Sequence, residues 1–175
     1  GFGGNQVDVL LIREQFGRGL VLEPYLASIV MGGGALKRGG SDALKTEMLP
    51  AVIDGTRPLA FAYAEPQARF DLDDVTTVAR KDGDNFIING HKSMVQNAAT
   101  ADQIVFSTRT SGGQVDQNGI TLFLIDADAK GVSRNDFPTV DGLRASEITL
   151  KDVSVSADRM LGSLDNGFGL LQEVA

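Results

Sequence analysis

The sequence predicts an α+β fold: an N-terminal helical segment, a small antiparallel β-barrel, and the start of a C-terminal helix. Three observations carry this. Up to Gly55, apolar residues recur at helical spacing. After Arg57-Pro58, short β-rich runs follow one another between glycine-containing turns. From Gly162 the helical pattern returns. The predicted segments are 1–57 (helical), 58–161 (barrel) and 162–175 (start of a further helical region).

Asn5 is placed to cap a first helix through Phe16, with Val7, Leu10 and Leu11 in register, Ile12 and Phe16 widening the apolar face, and Gly17 and Gly19 ending it. Glu23-Pro24 opens a second helix reaching Lys37 or Arg38. Gly32, Gly33 and Gly34 inside it are costly for a helix, which predicts a close helix-helix crossing or a local break. Ser41-Asp42 caps a third helix carrying Leu44, Met48 and Leu49, which Pro50 is expected to interrupt and Gly55 to close. The strand-like runs are LAFAYA, TTVARKD, NFIING, QIVFSTR, ITLFLID, GVSRNDF and EITLKDVSV, and RKDGDNFII is a strong hairpin signal. Short strands at this spacing predict a small barrel or sandwich. Asn166 or Gly167 begins the last helix.

The 175 residues are 42% apolar and 22% charged, an ordinary globular balance. A net charge of −7 argues against nucleic-acid binding, which needs a basic face. No apolar run is long enough to span a bilayer. The absence of cysteine removes disulfides and thiolate chemistry, and a single histidine, His91, leaves no histidine cluster for a metal. These features, with no leader pattern, lead to the expectation of a cytoplasmic protein. GFGG at the start and GFGLLQEVA at the end read as cut edges, so a piece of a longer chain is expected.

The glycine-rich GALKRGGS (34–41) lacks the lysine a phosphate loop needs, because Gly40 holds that position, and it lies in a helical stretch. No G-x-G-x-x-G follows a strand, so a parallel dinucleotide fold has no support. Asp71, Asp73 and Asp74 read as a solvated turn rather than a divalent-metal site, and His91, after Asn-Gly, reads as a polar strand residue at a hairpin. Glu65 is more informative. Pro66 drives it to extended backbone, and unpaired main-chain groups at the end of such a strand suit a flat heteroaromatic ligand such as a flavin.

Four segments together resemble the acyl-CoA dehydrogenase family of flavoproteins: LAFAYAEP, INGHKSMVQNAATAD, GLRASEITLKDVSVSADRMLG and IREQFGRGLVLEPYLASIV, in family order. The resemblance covers essentially the whole chain. It implies FAD held against the barrel, an acyl-CoA thioester substrate, an electron acceptor, and homo- or hetero-oligomers. By position it implies flavin contacts at Phe61, Tyr63, Ala64, Met94, Val95 and Gln96, and substrate contacts at Phe70 and Arg69. Several departures stand out. Ala64 replaces a threonine, Arg69-Phe70 replace Gly-Ser, Met94 replaces a tryptophan, and Gln96 replaces a threonine; these point to a divergent branch, such as the small subunits of heteromeric bacterial enzymes. No glutamate here matches the family's catalytic base, which is expected in a C-terminal domain that this chain lacks. The implied activity is α,β-dehydrogenation of an acyl-CoA by a chain unable to turn over alone. The alternatives are a non-catalytic small subunit and a related flavin oxidase or monooxygenase.

Overall fold

The computed structural model describes residues 4–175. Asn5 caps α1 (Gln6–Gly19) through a capping box with Asp8. The helix runs past Gly17, and its C-cap is Leu20 in the left-handed region, so a non-glycine residue ends it. Its Val7, Leu10 and Leu11 are exposed, so the amphipathic pattern forms a helix whose apolar side the described residues do not cover. The second helix begins after Pro24, is π-helical over Leu26–Gly33, and continues as α2 (Gly34–Gly39). The expected local break at Gly32–Gly34 is thus a widened turn. The close approach there is to a strand, since a Cβ on Gly32 would lie 2.7 Å from Leu59 Cβ. Ser41 caps α3 (Asp42–Ile53), which continues through Pro50. Near the helix end the proline forfeits one intrahelical bond, and the last turn still closes through Asp54 N–H to Pro50 O.

The strands are β1 (Leu59–Ala62), β2 (Val78–Asp82), β3 (Asn85–Gln96), β4 (Gln103–Arg109), β5 (Ile120–Asp126), β6 (Val132–Pro138), β7 (Arg144–Ser156) and β8 (Met160–Leu161). They form one sheet in the order β6-β7-β3-β2-β4-β5-β8, with β1 added beside β4. The pairing is antiparallel except at β1–β4 and at a single β2–β4 pair, which are parallel. The 63–77 connection is long enough to bring the chain round, so β1 needs no hairpin partner. The Asp82–Asn85 hairpin forms as expected, with Gly83 at φ +60°.

Asn89-Gly90 is not a turn. It lies within β3, where the pairing with β7 slips by one residue and Asp152, at φ +50°, is the extra residue on the β7 side. A second slip lies between Lys92 and Val95. There Ser93 and Met94 together face Glu147.

Strand alternation divides the core. Ala60, Ala62, Ile88, Phe106 and Phe123 join the cluster on one face of the sheet. Leu59, Phe61, Val105 and Leu124 pack on the other face with Leu36, Met48 and Leu171, the last from α4 (Phe168–Val174). Because β4 serves both clusters, it is buried throughout.

The aspartate loop is anchored from β4. The Arg109 guanidinium donates to the carbonyls of Asp73 (2.8 Å), Gln114 (2.7 Å), Asp116 (2.7 Å) and Asn118 (2.9 Å). Burial pulls its pKa below the ordinary value, and the acidic side chains of Asp116 and Asp73 oppose that pull. The Asp74 carboxylate accepts from Gln67 and Gln114. Lysine lacks the planar fork and has three donors for four carbonyls, so Arg109→Lys strands at least one of them; a loss of about 2–3 kcal/mol is expected. Urea melting and faster proteolytic nicking within 111–118 are the measurements.

Candidate functional site

The two segments singled out in the sequence meet. The end of β1 lies against the β3 slip: Ser93 N–H donates to the Ala64 carbonyl at 3.0 Å, and Lys92 Nζ lies 3.4 Å from the Tyr63 carbonyl. A long strand and a short one are thereby bonded at the point where each leaves its ladder.

What joins them is an ion pair the motifs did not disclose. Glu65 and Lys92 are both buried, with side chains of zero accessibility and 2.7 Å between Glu65 Oε1 and Lys92 Nζ. Lys92 also donates to Ser107 Oγ at 2.9 Å. Glu65 accepts from the Thr76 N–H (2.8 Å), the Thr76 hydroxyl, the Thr77 N–H (3.1 Å) and the Gln67 amide (3.0 Å). Burial opposes the carboxylate's charge, but the Lys92 ammonium and these donors outweigh it and hold the Glu65 pKa at about 2. Burial likewise pulls the Lys92 pKa below its ordinary value, countered by Glu65. The sequence did carry a signal: Phe86, Ile88 and Lys92 share the inward parity of β3, and a lysine so placed requires a carboxylate.

The folded Glu65 pKa lies below its ordinary 4.5, so the carboxylate's contribution is complete above pH 4.5 and is lost as pH falls from there toward 2. A decline of roughly 3 kcal/mol over that window is expected, read as urea midpoints at successive pH values.

The candidate contact residues differ in what they offer. Phe61 and Val95 are buried with their side chains in the two core clusters, so only their main chain faces outward. Tyr63 and Ala64 are half-buried, and Gln96 is exposed. Met94 sits at φ +52° in the slip and is 53% exposed, its thioether turned away from the core. Its N–H points to Glu147 Oε1 (3.4 Å), while Glu147 Oε2 lies 2.8 Å from His91 Nε2. The Ala64 N–H donates to no acceptor among the described residues. Arg69 and Phe70 stand apart from this group on the adjoining turn: Arg69 is exposed at φ +53°, and Phe70 is 97% exposed. The bulk that stands here in place of Gly-Ser is turned out to solvent.

Beside this surface lies a cleft of about 960 Å³ between α1, the 20–29 segment and the 96–100 and 141–144 stretches. Gln96 belongs to both. Leu20, Leu22, Leu26 and Ile29 give the cleft apolar walls, and Arg13, Glu23, Asp141 and Arg144 give it charge. The volume is in the range of small-molecule sites. Asp141 is committed locally, accepting from the Thr139 hydroxyl and the Leu143 N–H.

A mostly antiparallel sheet with helices packed on one face, an unpaired main-chain N–H beyond the end of β1 and an apolar cleft alongside define the class as an α+β protein. Comparison with known proteins gives that class a family. Residues 60–153 match the family described as acyl-CoA dehydrogenase, middle domain, and the chain belongs to the acyl-CoA dehydrogenase family. It is 33% identical over 140 residues to the acyl-CoA dehydrogenase FadE29 of Mycobacterium tuberculosis, covering 79% of this chain and 36% of that one. It is 31% identical over 173 residues to the caffeyl-CoA reductase-Etf complex subunit CarC of Acetobacterium woodii, covering 96% and 45%. Its structure matches a chain of the ChsE4-ChsE5 complex from M. tuberculosis with a TM-score of 0.90 at 26% identity, over 98% of this chain and 44% of that one. The chain therefore spans less than half the length of these relatives. Among the described residues no helix is long and apolar enough to cross a membrane.

Proposed function

We propose that this chain forms the flavin-facing and acyl-facing part of an FAD-dependent dehydrogenase of acyl-CoA thioesters. The observation that carries this is the meeting of Tyr63-Ala64 with Ser93–Gln96, where the Ala64 N–H has no acceptor among the described residues and Gln96 also lines the apolar cleft. These residues fit a flavin: a free main-chain donor and the Gln96 amide for ring heteroatoms, and an outward thioether able to pack on an aromatic face. FAD bound there would supply the two-electron acceptor for hydrogen leaving the substrate's β-carbon. The cleft would take the acyl chain along Leu20, Leu22, Leu26 and Ile29, with water excluded by those side chains.

Glu65 is not the general base of this reading. Its carboxylate is buried, accepts from Lys92 and from Thr76, Thr77 and Gln67, and has its pKa held at about 2. Proton abstraction from the α-carbon is assigned to a carboxylate outside this chain. General-base removal is worth about 10²–10⁴ in rate.

The test is anaerobic titration of the intact protein with acyl-CoA thioesters of several chain lengths while the flavin absorbance is followed. Bleaching without a partner subunit is the expected result where the polypeptide titrated also carries that carboxylate. The similarity to a chain of a two-component complex, over nearly the whole length of this one, favours a second reading: a subunit that completes a partner's site. A colourless protein that restores activity only to a larger subunit would establish that reading instead. Rapid reoxidation of reduced flavin by oxygen would point to an oxidase.

A further inference from the structure

A buried cation lies behind the main chain that the proposed flavin site presents. Lys92 Nζ makes three contacts: Glu65 Oε1 at 2.7 Å, Ser107 Oγ at 2.9 Å and the Tyr63 carbonyl at 3.4 Å. The described residues contain no cis peptide, so the carbonyl of Tyr63 and the N–H of Ala64, which belong to one peptide group, point in opposite directions. The carbonyl end faces the ammonium. The N–H end is the one that finds no acceptor among the described residues. A cation at the oxygen end of a peptide draws electron density toward itself and makes the hydrogen at the other end a stronger donor.

We propose that Lys92 is a positioning residue that polarises the Tyr63–Ala64 peptide, so that its free N–H favours a ring-bound partner that gains negative charge over the same partner when neutral. This rests on the flavin reading above. A flavin gains electron density on reduction, with much of it at the carbonyl and nitrogen edge of its pyrimidine ring. A polarised donor aimed at that edge binds the reduced ring better than the oxidised one.

The negative partner does not cancel the effect. Glu65 is served by four other donors, namely the Thr76 N–H and hydroxyl, the Thr77 N–H and the Gln67 amide, all on the side of the 67–77 connection. Lys92 is the charged group that touches the Tyr63 carbonyl. Glu65 therefore keeps Lys92 charged in a dry site, and Thr76 and Thr77 keep the carboxylate charge spread. The bond from Ser93 N–H to the Ala64 carbonyl fixes the next peptide, so the Ala64 N–H is held between two anchored groups.

The test is to measure the FAD dissociation constant of the intact protein twice, aerobically and after dithionite reduction, in wild type, Lys92→Met and the double variant Glu65→Gln/Lys92→Met. The double variant leaves no unpaired buried charge, so it stays folded if the single one fails. The expected result is a loss of about tenfold in the preference for reduced over oxidised FAD, equal to about 30 mV in the two-electron midpoint potential. A role confined to stability weakens both constants alike and leaves their ratio unchanged; FAD bound with an unchanged ratio in the double variant overturns the inference and leaves the flavin reading standing. Failure of the wild type to bind FAD in either state overturns both.

Discussion

Lys92→Met is expected to destabilise the protein by about 3–5 kcal/mol, the usual cost of removing one member of a buried ion pair. The side chain is fully buried, and its loss leaves the Glu65 carboxylate in a dry site without its counter-ion. Part of any such loss could come from altered packing, so pH is the discriminating variable. In the wild type, the Glu65 pKa of about 2 places an acid-dependent decline between pH 4.5 and 2. With Lys92 gone, the folded pKa moves up toward or past its ordinary value, and the difference that drives the decline disappears. Urea midpoints of the variant should therefore be low at pH 7 and hold level or rise down to pH 3, while those of the wild type fall across that range. Parallel pH profiles for the two proteins would show that the ion pair is not the source of the loss. The double variant Glu65→Gln/Lys92→Met should recover a large part of the stability, because two neutral partners carry no desolvated charge.

Gly90→Ala is the second large effect, expected at about 3 kcal/mol. A Cβ at this position would lie 2.6 Å from both Cα and Cβ of Thr77 and would also strike the Thr77 hydroxyl. Thr77 cannot move freely to relieve the clash. Its N–H donates to Glu65 Oε1, and its carbonyl accepts from the Arg109 N–H at 2.7 Å. Displacing it loosens the carboxylate and the Arg109 clamp together. Gly83→Ala is the control: Gly83 has φ +60° with nothing within 4 Å of a Cβ, so only backbone strain of about 1 kcal/mol is expected. Equal thermal shifts for the two substitutions would mean that the approach to Thr77 carries no cost.

Both effects lie where the sequence was only partly legible. Asn89-Gly90 looks like a hairpin turn, because that dipeptide suits left-handed turn positions. In the fold, the glycine serves instead to let β3 pass against Thr77. Similarly, Glu65 drew attention through Pro66 and the strand before it, but its partner could not be named. Lys92 is 27 residues away, and the two meet only when β1 and β3 lie side by side. The exposed apolar side of α1 is the opposite case. Periodicity revealed the helix but carried no information on what packs against it.

Taken alone, the sequence determined the helical start, the change to short strands after Pro58, the Asp82–Asn85 hairpin, and the family to which the middle of the chain belongs. These depend on local spacing, turn chemistry and motif order, all of which are properties of neighbouring residues. Only the tertiary structure decided that β1 runs parallel to β4, that a one-residue slip turns Met94 outward while Val95 turns in, and that Lys92 finds Glu65. The reason is physical. Strand parity is a period-two property, so a single extra residue reverses every side chain beyond it, and whether that residue is accommodated depends on the strand across the ladder.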